Sequence, residues 1–354
     1  MKTLKKITLT QFRNYSTASY GFSSRITCIT GANGSGKTNM LDAVYYLCYT
    51  KSYFTGVQQS SVQQGTDGFR VHGAFENEEI VCKWKDGKKE LTANDVPYDK
   101  VTDHIGKYAA VMIAPDDLEL INGGSEQRRK WVDSILCQTD REYLEKLLQY
   151  QRVLQQRNAW LKKEAQKPTN DFTELEFYNG KLVQNGTYIF QQRELFLTRL
   201  MPLLEQYYST LSQGKEQPVV TYNSHLQQSE MKQLLDKNLS NDLQMQRTLK
   251  GIHKDDWDFG LNDMPLKQFA SQGQKKSFLF ALKLAQYSYL EKEQGSLPML
   301  LLDDIFEKLD DNRIKALMNI IRSADFGQVF LTDTDKERVS QAFGDAADIG
   351  FIEL

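Results

Sequence analysis

The chain has 354 residues, 40% hydrophobic and 25% charged, with 44 Lys and Arg against 46 Asp and Glu. That is apolar material for one large or two ordinary domains, and it excludes disorder as the main state. Four cysteines, 22 glycines and 7 prolines exclude a disulfide scaffold and a collagen-like chain, and a formal net charge of −2 gives no bulk attraction to polyanions.

No apolar stretch approaches the roughly 20 residues that a membrane span needs. The opening MKTLKKITLTQFRNY carries lysines but no continuous apolar core before a small-residue cleavage site. The expectation is a soluble, cytoplasmic protein without a membrane partner. Cys28, Cys48, Cys82 and Cys137 are scattered singly, as are His72, His104, His225 and His253, which predicts reduced thiols and no metal cluster.

In chain order, Leu4 to Phe12 alternates as a strand, and Arg25 to Thr30 runs as a second strand into a glycine-rich turn. A helix is predicted from Lys37 to about Leu47. After a polar segment, Gln58 to Gly68, strands are predicted at Val71 to Phe75 and Glu79 to Lys85. Asp86 and Gly87 make a hairpin turn to a return strand at Glu90 to Thr92. From about Ser125 to Lys250 the pattern becomes helical, with Leu144, Leu147, Leu148, Leu154 and Leu161 on one run and Leu182, Ile189, Leu197 and Leu204 on another. A break is predicted near Lys167 to Asn170. Met299 to Leu302 and Val329 to Leu331 then read as buried strands. The predicted class is α/β, with a head built from residues 1–120 and 251–354 and a helical lobe, 121–250, inserted into it.

Gly31, Ala32, Asn33, Gly34, Ser35, Gly36, Lys37 and Thr38 fit G-x-x-x-x-G-K-[ST] between a predicted strand and a predicted helix, the context that a phosphate-binding P-loop requires. Backbone N–H groups and the helix N-terminus attract phosphate, Lys37 reaches the outer phosphates, and Thr38 ligates Mg²⁺. Such a loop needs a carboxylate at the end of a neighbouring strand, which Met299 to Asp304 supplies. Asp303 is the candidate for the metal and Asp304, one step further out, the candidate for polarising water. Ser271, Gly273 and Gln274 open another predicted helix; they suit an oxyanion, but alone they read first as a plain cap.

These elements in this order, with Glu307 to Asp310 after the acidic pair, resemble the ATP-binding-cassette heads of the SMC and Rad50 class, P-loop NTPases. Within that class the chain resembles the RecF family of bacterial recombination mediators. The segments that carry the likeness are LTQFRNY (9–15), the P-loop with Asn39, LDAVYYLCYTKSYFT (41–55), VMIAPDDLELINGGSEQRRKWVD (111–133), GIHKDDWDF (251–259), FASQGQKK (269–276) and LLDDIFEKLD (301–310). The resemblance implies an ATP-dependent homodimer. Each ATP would lie between one P-loop, with Asn39, and the Ser271–Gln274 segment of the other subunit, with Asp310 in the loop crossing the interface and Ser271 touching the γ-phosphate. It also implies slow ATP hydrolysis and a clamp on double-stranded DNA and single/double-strand junctions. RecO and RecR would be the partners in loading recombinase at gaps. The alternative is the ATPase subunit of another cassette system, a transporter or an SMC-like complex.

The chain departs from the family where Lys275 and Lys276 replace the usual Gln-Arg, and where Asp303-Asp304 replaces the Asp-Glu of many cassette enzymes. Thr332, Asp333 and Thr334 stand where relatives carry a switch histidine, and Pro115, Asp116 and Asp117 stand in place of a glutamine loop. The basic candidates for DNA phosphates are Lys51, Arg70, Lys83, Lys85, Lys88, Lys89, Arg128, Arg129 and Lys130, with no motif that reads base edges.

Overall fold

The computed structural model describes residues 2–169, 171–305, 311–322, 326–343 and 349–354. It separates into two compact units. The first comprises Met1–Leu118, Tyr207–Lys215 and Gln272–Leu354; the second comprises Glu119–Gln206 and Glu216–Ser271.

The first unit is built on two sheets. A five-stranded parallel sheet runs in the spatial order Ile349–Glu353, Ile26–Thr30, Val329–Asp333, Met299–Leu302 and Ala110–Ile113. Its four inner-sequence strands are buried at every residue, as expected of parallel strands covered on both faces. A six-stranded antiparallel sheet runs in the order Tyr15–Gly21, Leu4–Phe12, Gly68–Phe75, Glu79–Lys85, Lys88–Ala93 and Val96–Pro97. Period-two alternation turns Ile7 and Leu9 inward while Lys6, Thr8 and Thr10 stay at least partly exposed. Those inward residues join Met40, Val44 and Leu47 of the helix Lys37–Tyr49 and Met112, Leu301 and Phe330 of the parallel sheet in one apolar cluster. Gly73 is needed at this junction, since a Cβ there would lie 2.5 Å from Leu47 Cδ1.

The first strand is tied to the parallel sheet by a side chain acting as a strand. Gln328, 2% exposed, accepts from the Leu4 N–H at 2.9 Å and donates to the Leu4 carbonyl at 2.9 Å. Both bonds are buried and span 324 residues of sequence.

In the second unit, the helices Ser125–Thr139 and Arg141–Gln166 are followed by the helix Thr173–Ser212, whose Thr173–Gln206 portion belongs here. The unit differs from the predicted helical lobe: it leaves out Tyr207–Lys215, it continues to Ser271, and it contains a sheet. Pro218–Asn223, Asp256–Leu261 and Met264–Pro265 form three antiparallel strands. Pro218–Asn223 alternates buried and exposed residues, but it is 6 residues long, and its partner strand begins far downstream at Asp256. Buried charges bind this unit together. Arg193 pairs with Asp255 at 2.6 Å and Asp133 at 2.9 Å, and Arg157 pairs with Asp242 at 2.7 Å, with both arginines essentially unexposed.

Replacing Gln328 with Leu strands a buried donor and a buried acceptor on Leu4. Gln328→Leu is expected to lower stability by about 2–4 kcal/mol in urea denaturation with an unchanged m-value.

Candidate nucleotide site

The loop Gly31–Gly36 joins the buried strand Ile26–Thr30 to the helix beginning at Lys37. Its left-handed positions are glycines, and at Gly36, φ 114°, a side chain is also excluded by space: a Cβ there would lie 2.6 Å from Asn14 Nδ2 and 2.9 Å from the Tyr15 hydroxyl. These two neighbours also hold the loop. Asn14 donates to the Ser35 carbonyl at 3.1 Å, Tyr15 donates to the Gly36 carbonyl at 3.1 Å, and Asn39 donates to Asn14 Oδ1 at 2.7 Å. Within the loop itself the Ser35 N–H donates to the Ala32 carbonyl at 3.1 Å.

The buried Lys37 turns back into the loop, donating to the Gly31 carbonyl at 2.8 Å and the Ala32 carbonyl at 3.0 Å. Ser35 Oγ is buried with no hydrogen-bond partner. A curled lysine and an orphaned hydroxyl at a helix N-terminus fit an oxyanion.

Across the sheet, Asp303 ends the strand Met299–Leu302 and is 4% exposed. Thr38 donates to its carboxylate, 3.0 Å from each oxygen, and Thr332 donates to Oδ1 at 2.8 Å. Burial pushes the Asp303 carboxyl above the usual carboxylate range, against the lowering effect of the bonds from Thr332 and Thr38. Hydroxyl and carboxylate oxygens are the ligand type that Mg²⁺ takes, so Thr38 and Asp303 fit that ion. Asp304 follows in the left-handed region, φ 46°, with its N–H donating to Thr332 Oγ1 at 3.0 Å.

Ser271 and Gln272 are exposed at the start of the helix Gln272–Gln294, with Gly273 and Gln274 half-buried behind them. The Arg313 guanidinium packs on Gly273: a Cβ there would lie 2.5 Å from Nη1. Asp310 lies outside the described residues. In the segment Pro115–Asp117, Asp116 is exposed and the half-buried Asp117 forms a polar junction. Asp117 accepts from the Ala114 N–H at 2.8 Å and from the Tyr53 hydroxyl, and pairs with Lys283 at 3.2 Å. Lys283 also donates to Tyr53 Oη at 2.8 Å and to the Met112 carbonyl at 3.1 Å. Asn14, Tyr53, Lys283 and the role of Thr332 were not identifiable from local spacing, although Asn14 and Tyr53 fall within the family-like runs FRNY and KSYF.

The basic candidates divide. Arg128 is corrected: it is 8% exposed and binds Asp256 through Nε at 2.7 Å and Nη2 at 3.0 Å, with Nη1 on the carbonyls of Leu120 and Gly123. Its planar fork is consumed by a carboxylate within its own unit. Arg129 is half-buried and donates to the Asp255 carbonyl at 2.7 Å, so it too braces this unit. Lys130 is exposed beside Glu126 at 2.6 Å. Lys89 is also corrected, because it pairs across the sheet with buried Trp84, is half-buried, and donates to the Thr50 carbonyl. Burial lowers the Lys89 pKa. By the sheet register, Arg70 lies opposite Lys83, and Lys85 opposite Lys88, on the alternate face. Lys51, Lys83, Lys85 and Lys88 are exposed. Among the described residues, no helix is long and apolar enough to cross a membrane and no metal-type cluster of His, Cys, Asp and Glu occurs.

The parallel sheet, its flanking antiparallel sheet and the loop-to-strand arrangement define a P-loop ATPase head of the ABC/SMC type. Residues 3–79 match the RecF/RecN/SMC N terminal domain. The SMC head bound to the C-winged helix domain of ScpA shares the fold, with a TM-score of 0.57 at 15% identity, covering 99% of this chain and 94% of that one. Much stronger likeness is found to proteins named DNA replication and repair protein RecF. That of Flavobacterium johnsoniae is 43% identical over 340 residues, 95% of each chain. That of Bacteroides thetaiotaomicron is 39% identical over 344 residues, 96% of this chain and 92% of the other. A structure described as the recombination mediator protein RecF-ATP in the RecFOR pathway gives a TM-score of 0.87 at 30% identity, covering 94% of this chain and 92% of that one. The chain belongs to the RecF family.

The raised Asp303 pKa carries a sign. Above the unfolded-state carboxylate pKa, folding must desolvate a charge that the unfolded chain keeps in water, so metal-free stability falls as pH rises from the unfolded to the folded pKa. Asp303→Asn is therefore expected to melt higher than wild type without metal at about pH 8, with the gain shrinking toward about pH 4, where the carboxyl is increasingly protonated in both states. Scanning calorimetry at the two pH values checks this.

Proposed function

We propose that this chain is an ATP-controlled, DNA-binding ATPase of recombinational repair. The observation that carries the reading is the bond from Thr38 to Asp303, which brings a P-loop and a strand-end carboxylate together from positions 265 residues apart. Support comes from the family membership and from the relative whose structure is described with ATP.

In this reading the N–H groups of residues 31–36 receive the phosphates, together with Lys37, which exchanges its two loop carbonyls for phosphate oxygens. Asn39 acts at one remove, through Asn14. Thr38 and Asp303 hold Mg²⁺, which when bound neutralises charge on the phosphate oxygens. Asp304 orients the attacking water and takes its proton as the oxygen joins the terminal phosphorus and ADP departs. Hydrolysis is slow and DNA-stimulated. Ser271, Gly273 and Gln274, with Asp310, contact the nucleotide of the opposing subunit, so that ATP joins a homodimer and its cleavage releases it. The dimer clamps double-stranded DNA and single/double-strand junctions at gaps. With RecO and RecR it assists recombinase loading.

DNA would meet the exposed face of the antiparallel sheet. Arg70, Lys83, Lys85 and Lys88 fall there by register, with Lys51 following the end of the P-loop helix. Contacts of this kind read the phosphate backbone and not the base sequence.

Sedimentation with ATP, ADP or no nucleotide tests the switch. Wild type is expected to dimerise with ATP alone, Lys37→Ala to stay monomeric, and Ser271→Arg to bind nucleotide as a monomer; dimers in both variants would refute the sandwich. For DNA, Lys83→Glu with Lys88→Glu should weaken binding equally across sequences and flatten the salt dependence by about one unit per lost phosphate contact, whereas Lys130→Glu should not.

A further inference from the structure

Thr332 occupies the segment where cassette relatives carry a histidine, and no role for it follows from the P-loop and acidic pair alone. It is fully buried near the end of the strand Val329–Asp333, which lies between the strand leading into the P-loop and the strand ending at Asp303. Its hydroxyl has one proton to give, and it gives it to Asp303 Oδ1 at 2.8 Å. Thr332 Oγ1 in turn accepts the Asp304 N–H at 3.0 Å. One hydroxyl thus grips both carboxylate residues, one by its side chain and the other by its backbone.

The second grip falls on a strained residue. Asp304 is a non-glycine residue at φ 46°, a conformation that L side chains adopt at a cost and keep only when their surroundings enforce it. A β-branched side chain on a buried strand suits this work, because its χ1 freedom is already small. Asp303 would keep Thr38 as a donor without Thr332, since Thr38 lies 3.0 Å from both carboxylate oxygens.

From this geometry we infer that Thr332 is a positioning residue for ATP hydrolysis, fixing the left-handed turn from which Asp304 addresses the attacking water. The inference rests on the proposed role of Asp304. It assigns to a threonine on the middle strand the alignment of the proton acceptor: as the water oxygen bonds to the terminal phosphorus, the bond to the ADP oxygen breaks and the water proton passes to Asp304. Thr332 itself touches neither water nor nucleotide.

The test compares wild type, Thr332→Val, Thr332→Cys, Thr332→Ser and Asp304→Asn in steady-state ATP hydrolysis, nucleotide affinity, lifetime of the ATP-bound dimer and thermal melting. Thr332→Val is expected to bind ATP within about twofold of wild type, to lose tenfold to a hundredfold in kcat with KM unchanged, and to hold the ATP dimer longer in the same proportion. Thr332→Ser should recover most of the rate. If Val does not fold, Thr332→Cys, with a weak donor of similar size, takes its place with the same expectation. A role confined to stability would lower the melting temperature and leave kcat per folded chain untouched, and that result overturns the inference. So does a serine variant as slow as the valine one. A slow Asp304→Asn with a normal Thr332→Val removes only this inference, whereas wild-type turnover by Asp304→Asn removes the proposed role of Asp304 and the inference with it.

Discussion

The first unit depends on the bond that Thr38 makes to Asp303. A carboxylate at the closed end of a buried strand is costly to ionise unless donors or a cation face it. Here two threonine hydroxyls face it, one from the P-loop helix and one from the strand Val329–Asp333. Those three pieces come from the beginning and the end of the chain, and the parallel sheet sets them side by side. Chain inserted between them leaves the site unchanged so long as the strand order is kept. This is why the long helices and the separate three-stranded sheet can occupy the middle of the sequence.

A second tier of polar contacts keeps the P-loop helix in place. Arg13 donates to Asp42 at 2.5 Å, and the fully buried Asp42 also accepts from the Ser52 hydroxyl and from the Tyr53 N–H at 2.7 Å. Tyr53 passes the chain of contacts to Asp117 and Lys283. The turn that clamps the loop is thereby connected through buried and part-buried hydrogen bonds to the helix that begins at Gln272. Networks of this kind, once satisfied, specify one arrangement of their elements, and preorganised dipoles are what a phosphate site needs.

Chemistry carried by contiguous residues was legible in the sequence. The P-loop declares itself because its glycines, lysine and threonine are adjacent, and Asp303-Asp304 because four apolar residues run straight into two carboxylates. What depends on pleat or on distant partners was not. Lys88 and Lys89 look alike in the sequence, yet alternation sends one outward and the other against Trp84 and Thr50. Arg128 and Arg129 read as a basic patch because Asp255 and Asp256, more than a hundred residues away, cannot be seen in local composition. Pro218–Asn223 was taken for part of a helical region because a short strand next to long Leu- and Gln-rich helices gives too few alternations to stand out. Thr332 stood out only as a departure from the histidine of relatives; its role gave no signal, since one hydroxyl shared between two neighbouring residues leaves no spacing to find.

The central claim, that Asp303 is a carboxylate built to receive a divalent ion next to Thr38, is open to one direct measurement. Electron paramagnetic resonance of Mn²⁺ titrated into the protein, with and without ATP, counts bound metal against free. The account predicts metal retained by wild type in the presence of ATP and lost from Asp303→Asn even when ATP remains bound to that variant. Equal Mn²⁺ retention by the two proteins at matched nucleotide occupancy would contradict it.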